Sequence, residues 1–510
     1  MTKKLICLLA TIWTPGLAMA DTTNAEIQAL ESKLNTLQQQ VTQLRAEVAA
    51  EATPHAAAQS ESQPPATAAV APADEGKQPA VLSRDELADL KHQIAGQATQ
   101  VEALQTAATS GPLAGLSITG YLDPTYIYNR DANSASFLFL NHEPVSNYFN
   151  STFGDVYLDI KKTFGTGPMA PSAEITLMPN RGNGITLLQN SNGSTAADII
   201  NTAVVTVPVT GATTLVAGLI PSFGGYDAQQ SNQINTITHN LLYDFSDPGS
   251  YVGAGFNYAA DKSRFAWKFF VGNEQYRTYG AVVQTGTAIN GAPMTQSNRI
   301  PTVTGRVDYS WSDAMDLGAS LNLGRQTLAS GPTGGFGPAG LSSNVFSNYL
   351  FGETDLTYAL SNSTYNAEFD YGQQSHAAFN GNQAQWFGLS LQANWKFNVA
   401  SIGPMGATLR YDFLDDQKNG GGGGGIAIGG GTDVSNGFGV APSCLAEGNI
   451  ACKGANRQDL AFDLLFYPTQ QLIFKVEYRH DVASQNVFLR NDGTYTKSND
   501  LLATQMVYSF

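Results

Sequence analysis

The chain has 510 residues and a formal net charge of -15, with 27 Lys and Arg against 42 Asp and Glu, a balance that offers no basic surface to a phosphate backbone and argues against a nucleic-acid partner. Charged residues make up only 14% of it, while glycines number 51 and aromatics reach 10%. That composition departs from an ordinary soluble surface and favours long sheets joined by flexible loops.

Residues 1–20 read as an export signal: Lys3 and Lys4, an apolar run over 5–13, then Ala18-Met19-Ala20 as a cleavage site before Asp21. The mature chain then starts outside the cytoplasm, and Cys7 leaves with the signal. No later stretch of about eighteen uninterrupted apolar residues could form a transmembrane helix. A mean hydropathy of -0.15 still suits a transmembrane barrel, in which only alternate residues of each strand meet lipid.

Within residues 21–50, Ile27, Leu30, Leu34, Leu37, Val41, Leu44 and Val48 recur at alternating steps of three and four, a coiled-coil seam. Residues 51–82, rich in Ala, Pro, Gln and Ser, read as a semi-extended linker. A second coiled-coil helix follows over 83–107. Ser83 and Glu86 form its capping box, and Leu87, Leu90, Ile94, Val101 and Leu104 continue the heptads, with Gln97 at a d position. Ile27, Val41 and Val48 at three of the four a positions, with Leu at d, lean toward two strands, and the helices pair either with other copies or with each other inside one subunit.

From Leu116 the apolar period drops to two. Segments at about 116–129, 153–162, 172–179, 202–209, 213–220, 251–258, 264–272, 301–310, 315–324, 349–358, 363–373, 385–396, 406–415, 457–467, 471–480 and 500–510 alternate apolar with polar residues. Connections after the even-numbered segments are short, as in Thr210-Gly211-Ala212 and Pro468-Thr469-Gln470, and those after the odd ones are mostly long. The pattern predicts an all-β fold: a 16-stranded antiparallel transmembrane β-barrel over 113–510, carrying an N-terminal α-helical coiled-coil stalk.

Parity separates the faces. Phe265, Trp267, Phe269 and Val271 share one, as do Leu389, Leu391, Ala393 and Trp395, and Leu460, Phe462, Leu464 and Phe466; these meet lipid. The acids Asp155, Asp159, Glu174, Asp308, Glu353, Asp355, Glu368, Asp370, Asp412, Asp459, Asp463 and Glu477 then point inward. So do the bases Lys161, Arg264, Lys268, Arg306, Lys396, Arg410, Lys475 and Arg479. Unpaired buried charges cost several kcal/mol each, so such an interior is expected to hold water. The acidic excess predicts a weak cation preference. The same groups can instead pair across the wall as structural salt bridges.

The third long loop, residues 221–250, carries Tyr226, Asp227, His239 and Asp244, a polar and aromatic set suited to contact with solutes. It either folds into the lumen as a constriction or projects outward. Cys444 and Cys452 share a later loop and are expected to form a disulfide in an oxidising compartment. None of the six histidines stands at a metal-ligand spacing, and no nucleophile elbow or phosphate loop occurs, so no enzyme, cofactor or metal is expected. The final strand places Leu502, Met506, Tyr508 and Phe510 on one face; it would be a sticky edge unless it closed on the first strand.

Residues 217–227 (Ala-Gly-Leu-Ile-Pro-Ser-Phe-Gly-Gly-Tyr-Asp), followed by 246–256 (Ser-Asp-Pro-Gly-Ser-Tyr-Val-Gly-Ala-Gly-Phe), resemble the β-barrel porin-2 group, in which a strand ends in a Gly-Tyr turn and a Pro-containing loop leads into a Gly-x-Gly strand. The layout of stalk, linker and barrel also looks like the DcaP-like trimeric porins. That resemblance implies a homotrimer in the bacterial outer membrane, a stalk reaching into the periplasm and a channel for small, often anionic, solutes. The acidic lumen departs from an anion channel. Tyr508 and Phe510 resemble the C-terminal signal read by the barrel-assembly machinery. The expected function is a porin for passive diffusion of small hydrophilic solutes. The alternatives are a selective uptake channel, for a siderophore or carboxylate, and an outer-membrane anchor acting through its stalk.

Overall fold

Sixteen main strands are each hydrogen-bonded on both sides, so a chain with alternating apolar residues has found a closed sheet. The computed structural model describes residues 113–139, 154–178, 200–275, 300–327, 346–422, 437–447 and 451–510, with strand pieces at 188–189, 195–196, 282–287, 293–297 and 432–433. The expected signal, both heptad segments and the linker lie outside the described residues.

Sixteen antiparallel strands form the barrel. They are β1 (Leu116–Leu122, resuming as Thr125–Asn129), β2 (Val156–Thr163), β3 (Ser172–Leu177), β4 (Ile200–Pro208), β5 (Thr213–Ile220), β6 (Ser250–Ala259), β7 (Phe265–Gln275) and β8 (Thr302–Ser312). The second half comprises β9 (Met315–Thr327), β10 (Phe346–Ala359), β11 (Ser363–Gln374), β12 (Ala384–Val399), β13 (Gly403–Asp415), β14 (Asn456–Phe466), β15 (Leu472–Ala483) and β16 (Ser498–Ser509). Each pairs with its neighbours in sequence, and β16 returns to β1, with Tyr121 opposite Ser509 and Thr125 opposite Gln505.

One expected strand is broken. The sequence pattern reads 116–129 as continuous, but the ladder stops at Asp123-Pro124. Pro124 has no N–H to donate, its carbonyl accepts the Met506 N–H instead, and the Asp123 N–H turns to the Asp155 carbonyl just ahead of β2. Beyond the break, a short strand, Ser134–Leu138, adds to the second half of β1.

The outer face is apolar. Phe265, Trp267, Phe269, Leu389, Leu391, Trp395, Leu460, Phe462 and Leu464 are exposed on it, whereas Phe270, one residue out of phase, is buried inside. Aromatic side chains crowd beside the short turns: Tyr258 stacks on Trp267, Phe265 meets Tyr309, Tyr365 meets Trp395 and Phe466 stacks on Phe474. Amphipathic rings settle at the level where hydrocarbon gives way to head groups, so they mark one rim of a membrane belt. Among the described residues no helix is long and apolar enough to cross a membrane; the strands provide the crossing.

The hydrophobic core lies inside the barrel. Leu241, Leu242 and Phe245, on the one-turn helix α1 (Leu241–Phe245), cluster with Phe351, Trp386, Leu414 and Phe438 of the wall and a later loop. Ile237 packs with Ile127, Leu138, Leu501 and Ala503. Loop 221–250 supplies the centre of both clusters.

Candidate lumenal site

Loop 221–250 enters the barrel, where its apolar residues pack against the wall and its backbone meets charged partners. Asn240 starts α1 by accepting the Tyr243 N–H on Oδ1 at 2.6 Å, and Asp227 Oδ2 accepts the Asn240 N–H at 2.9 Å. These local bonds shape the loop within itself.

The wall engages it mainly from β15. Lys475 Nζ donates to three loop carbonyls, of Ser231 at 2.6 Å, Ile234 at 3.0 Å and Thr236 at 2.8 Å. Glu477 accepts the Ile237 and Thr238 N–H groups at 2.7 and 2.9 Å, and the Thr238 hydroxyl at 2.6 Å. Arg479 donates to the His239 carbonyl at 3.1 Å and the Thr238 hydroxyl oxygen at 3.0 Å. From β13, Arg410 donates to the Thr238 carbonyl, Thr408 to the Asn235 carbonyl at 2.7 Å, and Asp412 accepts the Leu241 N–H at 3.2 Å. On the far side of the loop, Ser231 donates its hydroxyl to Asp123 at 2.6 Å and its N–H to the Tyr121 hydroxyl.

This arrangement corrects the expectation of a uniformly wet interior. Glu353, Glu368, Asp370, Arg410, Asp412, Asp459, Asp463, Lys475, Glu477 and Arg479 are all buried. Several form a ladder beneath the loop: Arg410 with Asp412 at 3.0 Å, Arg479 with Asp459 at 2.6 Å and with Asp481 at 3.1 Å, and Arg457 with Asp481 at 2.7 Å. Burying charges is tolerable when counter-charges and hydrogen bonds replace water, and here backbone groups of the loop supply many of those bonds.

Across β2 to β8 several inward charges keep solvent, though the Arg306 side chain on β8 is only 11% exposed. Lys161 and Glu174 pair at 3.1 Å with side chains 48% and 30% exposed. Lys268 is exposed, 5.7 Å above the Phe223 ring, and Asp159 is partly exposed. Arg306 contacts Asp308 at 2.6 Å, Asp355 at 2.7 Å and Glu353 at 3.4 Å, and Asp308 is 34% exposed. Arg264 stays apart from these groups, exposed at the short-turn rim and donating to the Trp311 carbonyl at 3.4 Å. Lys396 lies at the same rim, 6.0 Å from the Tyr467 ring.

The loop candidates differ in setting. Tyr226 is partly exposed; its hydroxyl bonds Ser390 at 2.7 Å and its N–H donates to Glu368 at 3.3 Å. Asp227 and Asp244 are buried, and burial pushes the Asp227 carboxyl up to about 6 against the opposing pull of the Arg410 guanidinium. His239 is buried, with Nε2 2.9 Å from the Ala228 carbonyl and its ring stacked on Tyr243. Asp155 is buried beside Asp123, whose Oδ1 accepts the Asp155 N–H. Asp123 escapes the strand pattern, although Asp-Pro inside an alternating segment signals a break where a side chain can turn inward.

Cys444 and Cys452 form a disulfide, Cys444 lying on the short helix α2 (Pro442–Ala446). The bridge packs against Phe379 and Val440. Tyr508 and Phe510 stand exposed on the outer face of the closing strand.

A closed antiparallel barrel with an apolar belt, one aromatic rim and charged groups inside defines a β-barrel of the membrane-spanning class. Over residues 1–510 the chain matches, and belongs to, the family described as Protein of unknown function (DUF3138). No curated protein matches it in sequence. Among solved structures it is similar to the anion-selective porin from Comamonas acidovorans, at 11% identity and a TM-score of 0.43, covering 78% of this chain and 99% of that one. Outer-membrane expressed OmpT of Vibrio cholerae is similar at 10% identity and a TM-score of 0.43, with coverage of 78% and 97%. OprD of Pseudomonas aeruginosa follows at 10% identity and a TM-score of 0.34, with coverage of 78% and 95%.

Proposed function

We propose that the chain is an outer-membrane porin for passive diffusion of small hydrophilic solutes, with loop 221–250 narrowing the lumen to a path along β2 to β8. The observation that carries this reading is the contrast between the two arcs of the wall. Lys475, Glu477, Arg479 and Arg410 are spent on holding the loop, whereas Lys161, Glu174, Lys268 and Asp308 keep solvent contact. A barrel built only as an anchor has no need of accessible inward charges of both signs.

On this reading Tyr226 and the accessible charges face the permeating solute, Tyr508 and Phe510 serve the barrel-assembly machinery, and the heptad segments join three copies through a periplasmic stalk. The resemblance to trimeric porins with such stalks supports the last point. A lumen so largely occupied by its own loop favours a narrow, selective path. Purified protein in a planar bilayer tests the proposal. Stable conductance steps that a permeating solute class reduces support it; sealed bilayers at every voltage overturn it.

A further inference from the structure

We propose that Asp247, Glu368 and Asp370 form a binding site for one divalent cation, Ca2+ by preference, that fastens loop 221–250 to β11. One oxygen from each carboxylate lies within 4.8 Å of the others, a spacing that oxygens sharing a calcium ion adopt. All three residues are buried, so this is not a solvated acidic surface.

The surrounding charges leave the trio uncompensated. On the wall, Glu353 and Asp355 of β10 stand directly opposite Asp370 and Glu368 of β11, which places four inward acids on two adjacent strands. Arg306, which reaches the β10 acids, is committed to that pair and to Asp308. Gly318 permits that reach, because a Cβ there would stand 2.0 Å from the guanidinium and 2.3 Å from Asp355. Among the described residues, no Lys or Arg forms an ion pair with Asp247, Glu368 or Asp370.

A second observation points to a ligand. Oδ1 of Asp247 and Oε1 of Glu368 are buried without a hydrogen-bond partner, Asp370 has the Ser246 side chain and the Asp247 carboxyl within hydrogen-bonding reach, and Glu368 Oε2 takes the Tyr226 N–H and the Asn240 amide. Carboxylate oxygens left this way inside a protein are costly unless a cation or proton meets them. The chain also keeps the space beside them clear. A Cβ on Gly225 would lie 2.8 Å from both oxygens of Glu368, and one on Gly224 2.6 Å from Asp247 Oδ2. Gly225 has φ +58, a conformation in which any side chain is strained. Three carboxylates, two from one strand and one from the loop, suit a hard cation that takes oxygen ligands and completes its shell with water.

The site does not depend on the channel conducting, and its test does not use conductance. Full-length protein refolded in detergent free of lipopolysaccharide, stripped with chelator, is titrated with CaCl2 in a calorimeter. One saturable site per chain is expected, with a dissociation constant on the order of 10⁻⁴ M, the range of exported calcium modules. D370N should weaken it by about tenfold or more, and D159N, which changes an acid elsewhere on the wall, should not. Heat-modifiable gel migration shows which variants have formed the barrel. If D370N does not, G225A is the deciding variant; it leaves the charges in place, fills the cleared space and should weaken binding similarly. Absence of saturable binding in the wild type, as protons shared among the carboxyls would produce, overturns the proposal. So does Ca2+ affinity unchanged in a folded D370N or G225A.

Discussion

Gly120 and Phe510 exchange two backbone hydrogen bonds, each N–H donating to the other's carbonyl at 3.0 Å. The Phe510 ring occupies the position a side chain on residue 120 would need, since a Cβ there would stand 2.9 Å from the ring and 2.3 Å from the Tyr157 carbonyl. This contact lies at the seam where the sheet closes. Beside it the first half of β1 pairs with β16 only at Tyr121–Ser509 and Leu122–Tyr508 before Pro124 interrupts the ladder. We predict that deleting Phe510 or substituting Gly120→Val lowers the amount of heat-modifiable barrel in the outer membrane several-fold, and that Phe510→Leu, which keeps the backbone pair, lowers it less. Normal barrel levels in the deletion would remove the closure and assembly role together.

The next prediction concerns the loop. Lys475→Met removes the donor that three loop carbonyls share, and each carbonyl left buried and unsatisfied costs about 1–3 kcal/mol. Barrel strands elsewhere do not depend on that lysine. The expected outcome is an intact, heat-modifiable barrel whose amides at residues 231–238 exchange faster and whose bilayer conductance is larger and noisier. Glu477→Gln keeps acceptor capacity for the Ile237 and Thr238 N–H groups, so its effect on exchange should be smaller. Equal exchange in wild type and Lys475→Met would show that packing of Ile237 and Leu241, not the lysine, holds the loop.

The barrel could be read from the chain because a period of two survives in every strand, and lipid on one side enforces it: slipping Phe269 and Phe270 by one residue would exchange an exposed ring with a buried one. The loop could not be read in the same way. Whether 221–250 turns inward depends on its main-chain N–H and C=O groups meeting Lys475, Glu477 and Arg410, and main-chain groups leave no mark in a sequence. For the same reason the inward charges of β13 to β15 look wet in the pattern and are dry in the fold. Asp247, Glu368 and Asp370 are brought together by that same path, so no local spacing announces them. Pro124 is the contrary case: its missing N–H is legible in the sequence, but alternating apolar residues on both sides mask the break.

Cys444 and Cys452 are eight positions apart, and their bridge packs on Phe379 and Val440 at a loop, not within the wall. Closing so short a loop contributes on the order of 2–3 kcal/mol by chain-entropy reasoning, all of it local. We predict that Cys444→Ser leaves the temperature of barrel unfolding on gels unchanged and makes the surrounding loop sensitive to added protease at concentrations the wild type resists. A drop in the barrel's own unfolding temperature would mean the bridge supports the wall.

The accessible arc carries the last prediction. At about 10 Å in water a unit charge shifts an ion's energy by about 0.4 kcal/mol. A Lys→Glu exchange changes two units, ~0.8 kcal/mol, enriching cations about fourfold at that point and depleting anions by the same factor. Lys268 is exposed and Lys161 is half-exposed, so Lys268→Glu and Lys161→Glu should each move the reversal potential in a KCl gradient toward the potassium equilibrium value, and Asp308→Lys should move it the other way. The shifts should shrink as salt rises and the screening length falls toward about 3 Å at 1 M. Arg479→Gln offers the contrast. Its guanidinium is buried beneath the loop and bound to Asp459 and His239, so its effect should come through loop mobility and not through a salt-screened field. Reversal potentials that ignore Lys161, Lys268 and Asp308 but respond to Arg479 would place the permeation path on the other side of the loop.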